Sequence, residues 1–210
     1  MKVLQFQVGV IGTNCYLVYD EATMRGALVD PGDNAPGLLR RIEQEGVTLE
    51  YVLLTHAHFD HILGVHGVVE KTGAKVVLHR DDLWLLKKEN MGPFRQMAAG
   101  YVEPAVDVVA EEGTQVSFGG LTATYLHTPG HTPGSCCIVI GNTMFSGDTL
   151  FRHECGRCDL EGGSFDQMLR SLKRLADLEG DYNVLPGHDA VTTLSEERRA
   201  NRYMRQAEGR

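Results

Sequence analysis

Features of secreted and membrane proteins are missing from this 210-residue sequence. No stretch approaches the length of an apolar membrane span, and the N-terminal MKVLQFQVGV has no apolar core followed by a small-residue cleavage site. The five cysteines are odd in number and unevenly spread, as expected for reduced thiols and not for a disulfide framework. We therefore expect a cytoplasmic protein that does not bind membranes.

Basic residues are also fewer than acidic residues. Lys and Arg total 20 against 28 Asp and Glu, and the resulting formal net charge of −8 argues against a protein that binds nucleic acid through its phosphates. Low-complexity linkers and tandem repeats are absent as well. With 42% hydrophobic residues the composition is that of a globular protein, and we expect one domain over residues 1–210.

Apolar runs alternate with amphipathic segments along the chain. Strands are predicted near residues 3–8, 14–20, 26–30, 51–55, 74–79, 106–109, 115–118, 121–127, 135–140, 143–146 and 183–185. Helices are predicted at about 36–45, 62–73, 81–89, 164–178 and from 194 onward. Asn34 is the expected cap of the first helix, and Thr193 with Glu196 forms a capping box for the last. Both halves repeat strands, a polar loop and a helix, which favours an α/β (α+β) fold of two sheets packed face to face with helices outside.

The segment THAHFDH, residues 55–61, follows a continuous apolar run and is the strongest chemical signal. Alternate residues of an extended segment project to the same side, so His56 and His58 can share one ion. Asp60 and His61, where the chain turns into a helix, can point to another. Imidazole and carboxylate ligands suit Zn, Fe and Mn, and the spacing therefore predicts a metal site.

A site with one ion would leave ligands of this segment unused, so completing groups are expected elsewhere. His131, Asp148 and His188 each follow an apolar strand in a loop marked by Gly or Pro, where a rigid scaffold presents functional groups. The remaining histidines are expected to be solvent-facing or hydrogen-bonded residues; they are His66, His79, His127 and His153.

Together these motifs resemble those of the metallo-β-lactamase superfamily, and within it the short bacterial form of the hydroxyacylglutathione hydrolases (glyoxalase II). The resemblance rests on VDPGD (29–33), THAHFDH (55–61), HTPGHTPGS (127–135), SGDTLF (146–151), GRCDLEGG (156–163) and LPGHDAVTTLSEERRAN (185–201). It implies an αββα sandwich, in which two mixed sheets pack together and helices flank them.

The resemblance also implies the ligand set of a dinuclear centre. His56, His58 and His131 would hold one divalent metal ion, Asp60, His61 and His188 a second, and Asp148 would bridge the two. Zn is the expected metal, with Fe or Mn as alternatives. A hydroxide shared by the ions would attack a small-molecule thioester or ester, and Asp60 would also orient the proton of this hydroxide. Asp30 would support the metal loop without binding metal.

Arg157 is the residue that the resemblance places against a glutathione moiety. The resemblance to the short form implies that the longer C-terminal region, which adds glutathione contacts, is missing, so recognition of glutathione is left open, as is the oligomeric state. Cys155 and Cys158 have a metal- or redox-type spacing, but no second pair completes a zinc site, and we interpret them as incidental thiols.

Other activities of the same superfamily remain as alternatives. N-acyl-homoserine-lactone lactonases use the same seven-ligand pattern, and persulfide dioxygenases with one iron share the Gly-Arg-x-Asp turn. A β-lactamase is disfavoured because such enzymes usually lack an aspartate in the place of Asp148, and a nucleic-acid phosphodiesterase is disfavoured by the negative charge.

Overall fold

Two six-stranded sheets form the centre of the computed structural model, which describes residues 1–209 apart from the side chain of Pro93. The first sheet has the strands in chain order, β1 to β6: Lys2–Val8, Thr13–Asp20, Arg25–Val29, Thr48–Leu53, Lys75–His79 and Val108–Ala110. Strands β1 to β3 are antiparallel, and β3 to β6 are parallel. The sheet is therefore mixed.

The second sheet has the order β14-β13-β10-β9-β8-β7. Its strands, given from β7 to β10 and then β13 and β14, are Gln115–Phe118, Leu121–His127, Cys136–Ile140, Thr143–Gly147, Asn183–Pro186 and Thr192–Thr193. Only β10 and β13 pair in parallel, so this sheet is mixed too. Strands β11 (Leu150–Phe151) and β12 (Glu154–Cys155) form a separate short hairpin.

Helices cover the outer face of each sheet. From α1 to α6 they span Ala35–Glu45, Phe59–Ile62, Val65–Thr72, Phe165–Ala176, Leu194–Ala200 and Arg202–Ala207. One apolar core joins α1 and α3 to the first sheet, a second lies between the sheets, and a third joins α4 to α6 to the second sheet. The predicted αββα sandwich is confirmed. Each described helix is too short to cross a lipid bilayer.

Strand β2 shows why the apolar runs are continuous and not alternating. Cys15, Leu17 and Tyr19 belong to the core beneath the helices, whereas Tyr16 and Val18 belong to the core between the sheets. Because successive strand residues face opposite sides, a strand between two cores must be apolar at every position.

The predictions for the first three helices each need a correction. Asn34 precedes α1 in a left-handed conformation (φ 54°) and makes no side-chain capping bond, so its predicted capping role is wrong. The helix predicted at 62–73 is divided between α2 and α3 near Gly64, where a Cβ would lie 2.6 Å from the carbonyl oxygen of Pro31. The segment predicted as helical at 81–89 forms 3₁₀ helices, Arg80–Leu86 and Lys88–Asn90, and a further one spans Gly92–Gln96.

The predicted starts of the later helices agree with the structure, but the single helix predicted from 194 onward is wrong, because it is divided at Asn201 into α5 and α6. Ser164 caps α4 by accepting a hydrogen bond from the backbone N–H of Gln167. Thr193 does the same for α5, accepting from the N–H of Glu196 at 3.2 Å. These caps satisfy backbone donors that have no partner within the helix.

Candidate metal centre

All seven predicted ligands come together where strands of both sheets end. His56 and His58 lie in the loop after β4, and Asp60 and His61 lie in the short helix α2 that follows. The other three are on loops of the second sheet: His131 between β8 and β9, Asp148 after β10, and His188 after β13. The fold thus brings together side chains that are up to 132 positions apart in the sequence, from His56 to His188.

Three imidazoles form the first group. His56, His58 and His131 each offer a nitrogen, and these atoms lie within 4.8 Å of one another. Nδ1 of His58 is 2.7 Å from Nε2 of His131. All three rings are largely or fully shielded from solvent. The arrangement matches the first set of ligands that the resemblance implies.

A carboxylate and two imidazoles form the second group. Ligand atoms of Asp60, His61 and His188 also lie within 4.8 Å of one another, and Oδ2 of Asp60 is 3.2 Å from Nε2 of His188. Asp148 lies between the groups. Its Oδ2 is 3.4 Å from Nε2 of His131 and 3.5 Å from Nε2 of His188, and its Oδ1 is 3.4 Å from Nε2 of His61.

Hydrogen bonds fix which nitrogen of each ring is free to bind a metal. Nδ1 of His131 donates to the carbonyl of Arg157 at 2.7 Å, and Nδ1 of His61 donates to Oδ2 of Asp30 at 2.9 Å. Since the Thr55 hydroxyl donates to Asp30, it accepts from Nδ1 of His56. In His56 and His131 the neutral ring therefore carries its lone pair on Nε2, which faces the centre, and in His61 Nε2 is the nitrogen that a metal would reach by displacing its proton.

The residues present fit a pair of cations. Within residues 1–209, three buried polar side-chain atoms have no hydrogen-bond partner, namely Nε2 of His56, Nε2 of His61 and Oδ1 of Asp148. Buried polar atoms without partners are costly, and here all three belong to the two ligand groups. Imidazole nitrogen and carboxylate oxygen are the donors that Zn, Fe and Mn accept.

The first group is electrically suited to a metal without a competing proton. Burial lowers the pKa of His56 far below its ordinary value and lowers the pKa of His58 to about 3. Burial also lowers the pKa of His131. The three rings are therefore neutral at pH 7, the form that binds metal.

In the second group carboxylates dominate. Burial works against charge on both rings, but the carboxylates of Asp60 and Asp148 raise the pKa of His61 well above its ordinary value. Hydrogen bonds to the same carboxylates raise the pKa of His188 to about 9, again against burial. Burial alone would raise the pKa of Asp60, but the neighbouring His61 and His188 bring it down to about 2. In the absence of metal, protons on His61 and His188 balance the negative charge of Asp60 and Asp148. A bound cation would displace these protons.

A layer of buried groups behind the ligands holds them in place. Asp30, predicted as a supporting residue, accepts bonds from Thr55 as well as from His61. Asp82 was not predicted. It is fully buried and accepts hydrogen bonds from the N–H of Ala57 (3.0 Å), the hydroxyl of Thr132 (2.8 Å) and the N–H of Gly134 (2.7 Å). It thereby connects the loop of His56 and His58 to the loop of His131.

Two glycines allow the loops to approach the ligands closely. A Cβ on Gly156 would lie 1.9 Å from the carbonyl oxygen of Asp148, and one on Gly187 would lie 2.3 Å from Oδ1 of Asp148. Any side chain at these positions would displace Asp148.

Five of the seven candidate ligands line a cavity of about 350 Å³, in the size range of small-molecule sites; they are His58, Asp60, His131, Asp148 and His188. Its walls include Ile11, Phe94, Phe151 and Leu160. Arg157 also lines the cavity, but its exposed guanidinium is bonded to both carboxylate oxygens of Asp159, at 2.7 and 2.8 Å.

Two cysteines and two histidines for which no chemical role is predicted lie outside this cavity. The thiols of Cys155 and Cys158 are partly buried against the core beneath α4 and do not line the cavity. His79 and His127 stack face to face with centroids 4.0 Å apart. Each is hydrogen-bonded, to the N–H of Asp81 and to the carbonyl of Pro133, as predicted.

The fold and this ligand arrangement define a class of protein. The chain belongs to the metallo-β-lactamase superfamily, whose family model matches residues 8–188.

Individual relatives span nearly the whole chain. Hydroxyacylglutathione hydrolase GloC of Haemophilus influenzae is 29% identical over 97% of this chain and 98% of its own length. The crystal structure of BLEG-1 B3 metallo-β-lactamase superposes with a TM-score of 0.90 at 31% identity and covers 97% of this chain and 99% of its own. TTHA1623 in a di-iron-bound form gives a TM-score of 0.83 at 37% identity, over 95% and 99%.

Proposed function

We propose that the protein is a metal-dependent hydrolase with two metal ions that cleaves a thioester or ester, in the manner of the hydroxyacylglutathione hydrolases. The observation that carries this proposal is the position of Asp148 between two complete three-residue ligand groups at the bottom of a small-molecule cavity. Structural metal sites are normally closed around four ligands, whereas this one opens onto space for a substrate.

The roles of the residues follow from their contacts. His56, His58 and His131 would hold the first cation, Asp60, His61 and His188 the second, and Asp148 both. When bound, two such cations activate water at neutral pH and polarise a carbonyl. Zn is our first choice of metal, and the di-iron form of TTHA1623 supports Fe as the alternative to test.

Asp60 has a second proposed role as the proton-orienting group. Its Oδ2 accepts a hydrogen bond from the hydroxyl of Thr13 at 3.0 Å and lies beside His188, which fixes the carboxylate while it faces the cavity. A carboxylate held in this way can accept the proton of the attacking water without moving. Arg157 is the proposed contact for a negatively charged part of the substrate, because among the described residues it is the one Arg or Lys that lines this cavity.

The test combines metal analysis with turnover. The purified protein should bind about two metal equivalents and cleave S-lactoylglutathione. Asp148→Ala should lose at least one equivalent and most activity, whereas Asp166→Ala, which removes an exposed carboxylate on α4, should change neither.

Two other results would redirect the assignment. Cleavage of an acyl-homoserine lactone without thioester cleavage would identify a lactonase. One iron per chain, with oxygen uptake on glutathione persulfide, would identify a dioxygenase. Retention of two metals and near-normal turnover by Asp148→Ala would refute the bridging role.

A further inference from the structure

We infer that the site selects substrates that carry an uncharged, apolar arm, and that this arm of the substrate binds between the metal centre and the β1–β2 hairpin. This inference rests on the proposed hydrolase function and specifies its substrate class: acyl thioesters or esters with an extended alkyl chain. It does not require glutathione.

A second cavity continues from the metal centre toward the β1–β2 hairpin. It has a volume of about 210 Å³ and shares Ile11, Phe59 and Asp60 with the cavity above the ligands. Its other walls include Val10 at the hairpin tip, Leu63 and Met97. A substrate whose carbonyl lies over Asp60 can therefore extend an arm along Phe59 and Ile11 without leaving the protein surface.

The rim of this second cavity is unusually apolar for a surface. Val10 is 87% exposed, Ile11 47% and Met97 43%. These three are among only eight large apolar side chains in residues 1–209 that are strongly exposed. Isolated exposed apolar residues are common, but a group of them at the entrance of a catalytic cavity indicates a surface that a ligand covers.

The inner wall is apolar and well supported. Phe59 precedes the ligand Asp60 in α2, and its ring stacks on that of Phe94 with centroids 4.8 Å apart and planes 15° apart. Phe59 is buried, so its position is fixed by the packing of α2. The side chain that an arm would meet first is thus one residue from a proposed metal ligand.

The charges near the centre disfavour an anionic arm. Apart from the ligands, the charged residues described along the cavities at the metal centre are Asp33, Glu161 and Arg157. Two of these are acidic, and the third already pairs with both oxygens of Asp159. In the second cavity a carboxylate on the arm would meet Asp33 and, among the described residues, no Arg or Lys side chain, whereas an alkyl arm gains free energy by leaving water.

The test uses N-acetylcysteamine thioesters, which carry no charge, with acyl chains from acetyl to decanoyl. For the metal-loaded protein we expect kcat/KM to be at least about tenfold higher for octanoyl than for acetyl, well below the gain from complete burial of six methylenes. Ile11→Ser and Met97→Ser should each reduce the octanoyl-to-acetyl ratio. Val109→Ser and Val191→Ser remove similarly exposed apolar side chains elsewhere and should leave the ratio unchanged.

A binding measurement separates this inference from the proposed reaction. Calorimetric titration with 2-undecanone, which is uncharged and not cleaved, should show binding that Ile11→Ser weakens and Val109→Ser does not. Ketone binding of this kind without turnover of any thioester or ester would support the apolar site and refute the hydrolase. Thioester cleavage with a flat chain-length profile and no effect of Ile11→Ser would refute the apolar arm and leave the hydrolase standing.

Discussion

Replacement of Asp82 by Asn should weaken the metal centre, although Asp82 is not one of the proposed ligands. Its carboxylate accepts hydrogen bonds from three donors, on Ala57, Thr132 and Gly134, and it has no exposed surface. An amide has one oxygen and one NH₂ group, so it cannot accept at both ends. In Asp82→Asn the NH₂ group would face either the N–H of Gly134 or that of Ala57.

The magnitude follows from the number of donors that lose a partner. At least one buried backbone N–H is left without an acceptor, which costs about 1–3 kcal/mol of unfolding free energy. The same change loosens Ala57, which lies between His56 and His58, relative to Thr132, which follows His131. Replacement of groups that orient metal ligands typically weakens metal binding by about 10–100-fold, and we expect that range for the ion of the three-histidine group.

Two measurements test this reasoning. Urea denaturation of the metal-free protein gives the loss of stability, and competition with a chromophoric chelator gives the affinity of each metal. Asp81→Asn is the matched control, since Asp81 is the adjacent aspartate but its side chain is half exposed. If Asp82→Asn lost stability but bound both metals with normal affinity, Asp82 would stabilise the fold without positioning the ligands.

Further predictions concern the surroundings of the centre. Arg157→Ala should raise KM for S-lactoylglutathione and not for an uncharged thioester. Asp159→Asn should free Arg157 and lower KM for S-lactoylglutathione about two- to fivefold. Equal effects on both substrates would show that Arg157 only supports the loop. Cys155→Ser with Cys158→Ser should leave metal content unchanged and alter turnover by less than about tenfold, and a lost metal would contradict this. Gly187→Ala should reduce metal content because its Cβ would lie 2.3 Å from Asp148, whereas Gly120→Ala, with its nearest neighbour at 3.4 Å, should not.

Local patterns in the sequence predicted the architecture and the seven candidate ligands, whereas the division of these ligands into two groups came from the resemblance to the metallo-β-lactamase superfamily. The His-x-His-x-Asp-His spacing describes a strand end that turns into a helix, and the structure has β4 followed by α2 at that place. His131, Asp148 and His188 could be found because each follows an apolar strand in a Gly- or Pro-marked loop.

Groups that act across long distances in the chain could not be found in this way. Asp82 contacts residues 25 and 52 positions away, and no local pattern distinguishes it from the exposed Asp81 beside it. The backbone carbonyl of Arg157 orients His131, but a carbonyl leaves no signal in the side-chain sequence. No strand or helix is predicted for residues 90–105. The 3₁₀ turns there are too short to produce a hydrophobic period, and the segment contributes single side chains, such as Phe94 and Met97, to cavity walls.

The two ligand groups differ in a way that bears on their metals. The first offers three neutral imidazoles, whereas the second includes the carboxylate of Asp60 and has Asp30 behind His61. With Asp148 available to both, the second group carries more negative charge and more oxygen donors. Oxygen donors favour harder cations and nitrogen donors favour Zn, so the two positions are not equivalent. The carboxylate of Asp60 also lies beside Phe59 in the walls of both cavities, where the proposed uncharged substrate arm would strengthen the electrostatic influence of that carboxylate by excluding water.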